Sequence, residues 1–414
     1  MAIMKKNYWS NKMQRVLIFL LVGFLFYACN DYVQSVDPLI DQVEDERLTD
    51  ASQVIFLTKG VQQRMATTVA LAGMLSGGLS DEMVFDQDVP NATFPTFREI
   101  DEGNIEPDNN SIDGLFTNLS EARYFAEDLI RRLGEISDAD PEQEREAMYT
   151  SYLVSGLMRQ YMASYFGLNP TEPGGVINAG PFIPASEMYN LALEQYQLAL
   201  GKASTDDGGY QGRVVNSLIA RVHLLAGNYS SAATFAENGL VSGDEAFSAL
   251  YTTQSPNDYY FGGGRGRTQW IVDFRFNDYI TADPAEANRI LIETIEGSSG
   301  TIYYRQAAFP EQTSPYPIVT WQEMSLIIAE TSLRNNDSGR ALSAVNSVRA
   351  FYGLGTLSAI DMDTIITERD KTLFLQGHRM MDEKRFNQWH LPTGTWQVLR
   401  IGEREINANP NLGG

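Results

Sequence analysis

The chain has 414 residues and carries 53 Asp and Glu against 31 Lys and Arg, a formal net charge of −22. Nucleic acid is held mainly through neutralised phosphates, so a chain this acidic and without a basic stripe is excluded as a nucleic-acid binder. At 43% hydrophobic and 11% aromatic, the composition is that of a folded protein rather than a disordered acidic tract.

The N-terminal end departs from this balance. Residues 1–28 hold Lys5, Lys6, Lys12 and Arg15 and no acidic residue, followed by an apolar run from Val16 to Phe26. That run is too short for a bilayer-spanning helix, which needs about 20 residues. A cationic segment followed by a short apolar one is the pattern of an export signal. Phe26-Tyr27-Ala28-Cys29 comes next and contains the only cysteine of the chain, so it resembles a lipobox in which Cys29 is acylated and becomes the mature N-terminus. Residues 29–46 then read as an acidic tether, and 47–414 as a single domain held to a membrane by its acyl chains. The mature chain would carry 27 basic and 53 acidic residues, a net of −26. With no second cysteine, disulfides and thiol chemistry are excluded from it.

Helical periodicity dominates the remainder. Apolar residues three or four apart predict helices over 48–77, 119–134, 142–167, 186–201, 212–227, 230–239, 321–333, 338–352 and 364–385. Between them lie long Pro- and Gly-rich insertions near 81–111, 169–185, 253–276 and 297–317. Loops of this length usually have a function of their own. Within the third, Trp270, Ile271, Val272, Phe274 and Phe276 suggest a short strand, and Gly262-Gly263-Gly264-Arg265-Gly266 reads as a flexible loop.

Two helix pairs share a spacing. Ala220 and Ala232 are 12 residues apart, as are Ala329 and Ala341, and in each pair the small residues fall on either side of a turn. Small residues so placed let antiparallel helices approach closely, as in a tetratricopeptide repeat. The second alanines are 109 residues apart, which is no multiple of the 34-residue repeat, so the pairs are interrupted rather than tandem. The fold class expected is all-α, with interrupted tetratricopeptide-like helix pairs and long irregular loop insertions.

Several strings then carry a family resemblance. Trp321 to Glu330 followed by Ala341 to Arg349 is similar to the "EvlLiyAEa…Al..vN.vR" segment of the SusD/RagB family of Bacteroidota outer-membrane nutrient-binding lipoproteins. Glu368 to Arg385 resembles that family's "ER..El.fEGhR..DlkR", and Glu405 to Leu412 its closing "E...NPnl". Gly180-Pro181-Phe182-Ile183-Pro184 is similar to a turn that precedes a family helix. Gln376 and the Met380-Met381 pair depart from the pattern. The resemblance implies a SusD-like α/α superhelical scaffold, no catalysis and an outer-membrane location. It also implies a SusC-type TonB-dependent transporter as the partner that receives the nutrient, most simply an oligosaccharide.

The residues themselves add a site hypothesis. Sugar rings offer flat C–H faces and a rim of hydroxyls, so their sites combine aromatic rings with Asn, Asp, Gln or Arg. The insertions supply this mixture in Asp81, Phe94, Phe97 and Arg98, in Tyr259, Tyr260 and Trp270, and in Tyr303, Tyr304 and Arg305. Tyr259, Tyr260 and Trp270 form the expected stacking platform. The overall charge favours a neutral or cationic ligand unless Arg98, Arg265, Arg267 and Arg305 gather in one place. Along the C-terminal motif, Arg379 with Asp382 and Asp382 with Arg385 are spaced as helical ion pairs, and His378 among them reads as structural.

No HExxH, CxxC, GxSxG or GxxxxGK[ST] string occurs, so no cofactor or catalytic metal is expected. Residues 101–113 offer oxygen ligands for Ca²⁺ without the EF-hand order. Two other functions fit the same sequence: a tetratricopeptide-like scaffold that binds a peptide, and a glycoside hydrolase, which needs only two carboxylates across a cleft.

Overall fold

The computed structural model describes residues 48–412; the expected export signal, Cys29 and the expected tether lie outside the described residues. A long helix, α1 (Val54–Leu79), has apolar and small residues on most of its circumference and is therefore buried along more than half its length. Against it pack α3 (Asn110–Leu133), capped by the Asn109 side chain on the Ile112 N–H, and α4 (Pro141–Tyr165), capped by Asp140. Between α1 and α3 lies the short α2 (Pro95–Asp101). Next come α5 (Ala185–Leu200), α6 (Tyr210–Leu225) and α7 (Tyr229–Glu237), and then, beyond two short helices α8 (Asp258–Gly262) and α9 (Arg275–Ala282), α10 (Trp321–Arg334) and α11 (Ser338–Phe351).

The α6–α7 and α10–α11 pairs are the expected antiparallel units. Ala220, Ala232, Ala329 and Ala341 are all fully buried, and α10 also packs on α7, which joins the two units. All but one of the helices expected from periodicity appear, most with ends shifted by a few residues; α3 starts nine residues before the expected 119 and α1 six after the expected 48. The exception is 364–385, which is broken into α12 (Met362–Thr372) and α13 (Arg379–Arg385). At the break Leu375 adopts φ 59° and Gly377 φ 76°. Leu375 is a rare non-glycine residue in this region, and the buried Glu82 carboxylate accepts its N–H at 2.7 Å.

Strands are few and local. Among the described residues they form five two-stranded pieces, four of them antiparallel. Two bear on the candidate site: β1 (Met83–Val84) pairs with β6 (Ile271–Val272), and β7 (Ile292–Glu296) forms a hairpin with β8 (Ile302–Gln306); the others are β2 (Phe166–Gly167), β3 (Gly174–Val176), β4 (Phe182–Pro184), β5 (Phe247–Ala249), β9 (Tyr316–Val319) and β10 (Leu399–Arg400). A last helix, α14 (Glu403–Ala408), precedes the C-terminus.

Buried ion pairs fasten the C-terminal segment to the rest. Arg369 on α12 meets Asp382 on α13 at 2.7 Å, and Arg385 bridges Asp382 at 2.8 Å and Glu330 of α10 at 2.9 Å. Arg221 of α6 holds Glu323 of α10 at 2.6 Å, and Glu368 accepts from both Arg289 and Arg349. The Asp382–Arg385 pair is the one expected from helical spacing. Arg379 differs from expectation: it turns to Asp81 at 2.5 Å rather than to Asp382, because the helix break places Asp81 on its side. His378 is buried, 3.8 Å from Glu323, and desolvation lowers its pKa to about 4, so it is a neutral packing residue.

Two outcomes follow for stability. Burial opposes ionisation of Asp382, yet Arg369 and Arg385 hold its carboxyl well below the usual range. Asp382→Asn therefore leaves two buried guanidinia undercompensated and should cost about 3–5 kcal/mol, read as a lower guanidinium midpoint. Glu82 behaves oppositely, since burial raises its pKa from 4.5 to about 8. A raised carboxyl pKa contributes stability below the unfolded value and loses it as pH climbs towards the folded one. Glu82→Gln should remove a decline in stability between about pH 4.5 and 8; an unchanged slope of stability against pH across that window would show that Glu82 does not carry it.

Candidate functional site

Three of the four insertions come together at one place. The first enters through β1 and is tied to the third by the β1–β6 pairing. It is tied to the fourth by Asp88, whose carboxylate accepts the Ser299 N–H at 2.7 Å and hydroxyl at 2.6 Å, and by Asp86, which accepts the Tyr303 hydroxyl at 3.0 Å. Gln269 clamps the first insertion to the third: its amide oxygen accepts the Thr93 and Phe94 N–H groups at 3.0 and 3.1 Å, while its NH₂ donates to the Asn91 carbonyl. The backbone of each loop is thus held by side chains of another.

From the core outward runs an aromatic column. Trp270 is fully buried and stacks on Phe97 at 5.1 Å with the rings 22° apart. Phe97 meets Phe94 edge-on at 5.5 Å, and Phe94 emerges 38% exposed with the Arg267 guanidinium 4.3 Å over its ring. Phe274 is 44% exposed and lies 5.8 Å from Tyr303 and 5.9 Å from the half-buried Tyr304. Tyr260 and the exposed Phe261 meet edge-on at 5.0 Å.

The charged groups here are ordered. Glu293 on β7 accepts from Arg265 at 2.9 Å and from Arg305 on β8 at 2.6 Å, and Arg267 donates to the Thr93 hydroxyl at 3.0 Å. The hydrogen bond from Arg265, aided by Arg305, holds the Glu293 carboxyl below its ordinary range. It is a fixed anion that positions two guanidinia, not a proton donor. Three of the four arginines named from sequence thus gather in these linked loops. Arg98 is exposed on α2 and is in no ion pair among the described residues.

Several expected ligand contacts need correction. Trp270 and Tyr259 have no exposed surface, and Phe97 and Tyr303 are 6% and 5% exposed, so none of the four presents a face to a sugar. Trp270 is enclosed between Phe97, Phe85 and Gly78, and Tyr259 between Phe309 and Tyr316. Asp81 is engaged by Arg275 and Arg379, which together hold it below the carboxylate range against the effect of burial. Of the candidates, Arg98 is exposed and Tyr260 and Tyr304 are partly exposed.

The run Gly262–Gly266 is not a flexible loop. A Cβ on Gly262 would collide with Met74 and one on Gly264 with Gln306, so glycine lets α8 sit directly on α1 and β8. The predicted strand shrinks to Ile271–Val272 because Phe274 starts a helix, and that turn carries its ring outward. Phe261 and Glu293 carried no periodic or motif signal, since loop and hairpin geometry alone bring them here. In the 101–113 loop, Asp101 accepts the Phe85 N–H and Asn109 caps α3, so both are engaged in structure. Among the described residues, no group of three or more His, Cys, Asp or Glu is placed to hold a metal ion.

Comparison with known proteins agrees with this architecture. The sequence model of the SusD family matches residues 311–411. No curated protein matches the chain. Among solved structures, a SusD superfamily protein from Bacteroides vulgatus superposes with a TM-score of 0.70 at 16% identity, covering 88% of this chain and 98% of that one. A laminarin-binding SusD-like protein gives 0.69 at 16% identity over 87% and 99% of the two chains. Surface glycan-binding protein A from Bacteroides thetaiotaomicron gives 0.66 at 14% identity over 88% and 98%. The buried pairs made by Glu323, Glu330, Glu368, Arg369, Asp382 and Arg385 all involve the matched segment. In that segment the chain is similar to the SusD family, and over nearly nine-tenths of its length it shares the fold of SusD superfamily structures.

Proposed function

We propose that this protein binds a glycan on the face built by its first, third and fourth insertions and delivers it to a SusC-type TonB-dependent transporter at the outer membrane. The observation that carries the reading is that loops which brace one another expose Phe94 and Phe274, part-expose Tyr304, and also carry Arg265, Arg267 and Arg305, with Arg267 over the Phe94 ring. Rings backed by a packed column lose little freedom on binding, and fixed guanidinia donate in planar pairs to hydroxyl, carboxylate or sulfate oxygens. The laminarin and surface-glycan proteins that share the fold support a saccharide as the ligand class.

The gathered arginines also revise the ligand's charge. A chain at −22 repels polyanions at a distance, but short-range contacts on this face would meet cationic groups, so acidic glycans become acceptable. Acylation at Cys29 supplies the membrane attachment in this reading; among the described residues no helix is long and apolar enough to cross a membrane. Binding rather than hydrolysis is favoured because Glu293, the carboxylate fixed between two of these arginines, is locked in its ionised form.

The experiment is isothermal titration of the full chain with laminarin and with polygalacturonate. Phe94→Ala and Phe274→Ala should each weaken binding of whichever polymer is retained by about five- to tenfold while shifting Tm by only ~1–2 °C. Trp270→Ala, which empties the core end of the column, should instead lower stability by about 3–5 kcal/mol. Retention of neither polymer, or retention indifferent to both surface substitutions, would contradict the proposal.

A further inference from the structure

The three arginines that gather on the proposed face are not equivalent. Arg265 is spent on Glu293, donating from Nε at 3.0 Å and from Nη2 at 2.9 Å to its two carboxylate oxygens. Arg305 donates from Nε to the same carboxylate at 2.6 Å. Arg267 has no carboxylate partner among the described residues. It donates from Nη2 to the Thr93 hydroxyl at 3.0 Å, and its guanidinium lies 4.3 Å over the Phe94 ring. A guanidinium carries five N–H donors in one plane, so four of them remain without a protein partner on a side chain that is exposed.

The local charge is uneven too. Three guanidinia stand here against one carboxylate in an ion pair with them, Glu293. Asp86 and Asp88, which also bond across to the fourth insertion, are taken up by Tyr303 and Ser299 and pair with none of these arginines. The buried arginines of the scaffold, Arg221, Arg289 and Arg369, each meet a carboxylate instead. An excess of like charge on one surface repels itself, and neutral hydroxyl groups would leave that excess where it is. A carboxylate or sulfate would relieve it, taking two parallel N–H bonds at roughly twice the strength of neutral ones. Phe94 and Thr93 already hold the Arg267 guanidinium in place, so little freedom is lost when it engages an anion.

We infer that the ligand of this face carries an oxyanion, a carboxylate or sulfate borne on a sugar ring, and that Arg267 is the residue that selects it. The inference rests on the glycan reading of the face and deepens it by naming the ligand's charge. The full chain is titrated calorimetrically with trigalacturonate, with the methyl ester of the same trisaccharide, and with a κ-carrageenan tetrasaccharide. The first two differ in charge on one sugar backbone, and the third offers sulfate in place of carboxylate.

Trigalacturonate or the sulfated probe should bind about tenfold more tightly than the methyl ester, and the tighter of the two acids identifies the oxyanion. Arg267→Gln should lower the affinity for that acid about tenfold and leave the methyl ester unchanged. Arg267→Lys, which keeps the charge without the planar donor pair, should retain part of the preference. Tm confirms that each variant folds. Equal weakening of acid and ester by Arg267→Gln would mean that the arginine only props Phe94, and would overturn the inference. Ester bound as tightly as acid, with Phe94→Ala weakening both, would overturn it and leave the glycan face standing. Binding of none of these probes, nor of laminarin, would fail the face itself and the inference with it.

Discussion

The structure turns on the Arg369–Asp382 ion pair. Both side chains are buried, Arg369 to 2% exposure, and desolvating two such ions is tolerable only if geometry and neighbouring hydrogen bonds repay it. Arg385 supplies the second contact to Asp382 and carries the network to Glu330 on α10. From there each further pair joins elements distant in sequence: α6 to α10 through Arg221 and Glu323, and α12 to the segment before β7 through Glu368 and Arg289. Hydrophobic packing alone would leave the register of these helices loosely set. Matched buried charges admit few alternatives, because a slip by one residue would strand an ion.

This lock also positions the proposed face. Asp81 and Glu82 stand at the entry to the first insertion; Asp81 is held by Arg275 and Arg379, and Glu82 accepts the Leu375 N–H in the break between α12 and α13. The insertion therefore leaves the scaffold from a point fixed by the C-terminal segment. Beyond that point Trp270 and Phe97 fill the interior side of the loops and leave Phe94 and Phe274 outside. The proposed binding surface, though built on long loops, is thereby backed by a packed interior, which would lower the entropy lost on engaging a ligand.

How far the sequence foretells this depends on the kind of signal. Helices were legible because a 3.6-residue period is written locally, and Ala220, Ala232, Ala329 and Ala341 announced the paired helices by spacing alone. The break at Leu375 was not legible, since it depends on a carboxylate 293 positions away. Arg379 shows the same limit: helical spacing offers Asp382, and only the fold reveals Asp81. For the candidate face, composition pointed to loops that the fold brings together, but not to the rings that stay exposed there. Trp270 looks like a stacking platform in sequence, yet a ring that large is worth most when buried, whereas Phe94 and Phe274 stay outside because of their places at turns. Glu293 was invisible because its role, holding Arg265 and Arg305 together, exists only across a hairpin.

If the proposal holds, ligand engages the face formed jointly by the three braced insertions. Hydrogen–deuterium exchange of the full chain, with and without a saturating glycan it is found to bind, tests this directly. Slowed exchange should appear together in residues 91–98, 260–274 and 292–305, with the helices of the scaffold unchanged. Protection confined to the groove of the paired helices α6–α7 and α10–α11, with these three segments unaffected, would contradict it.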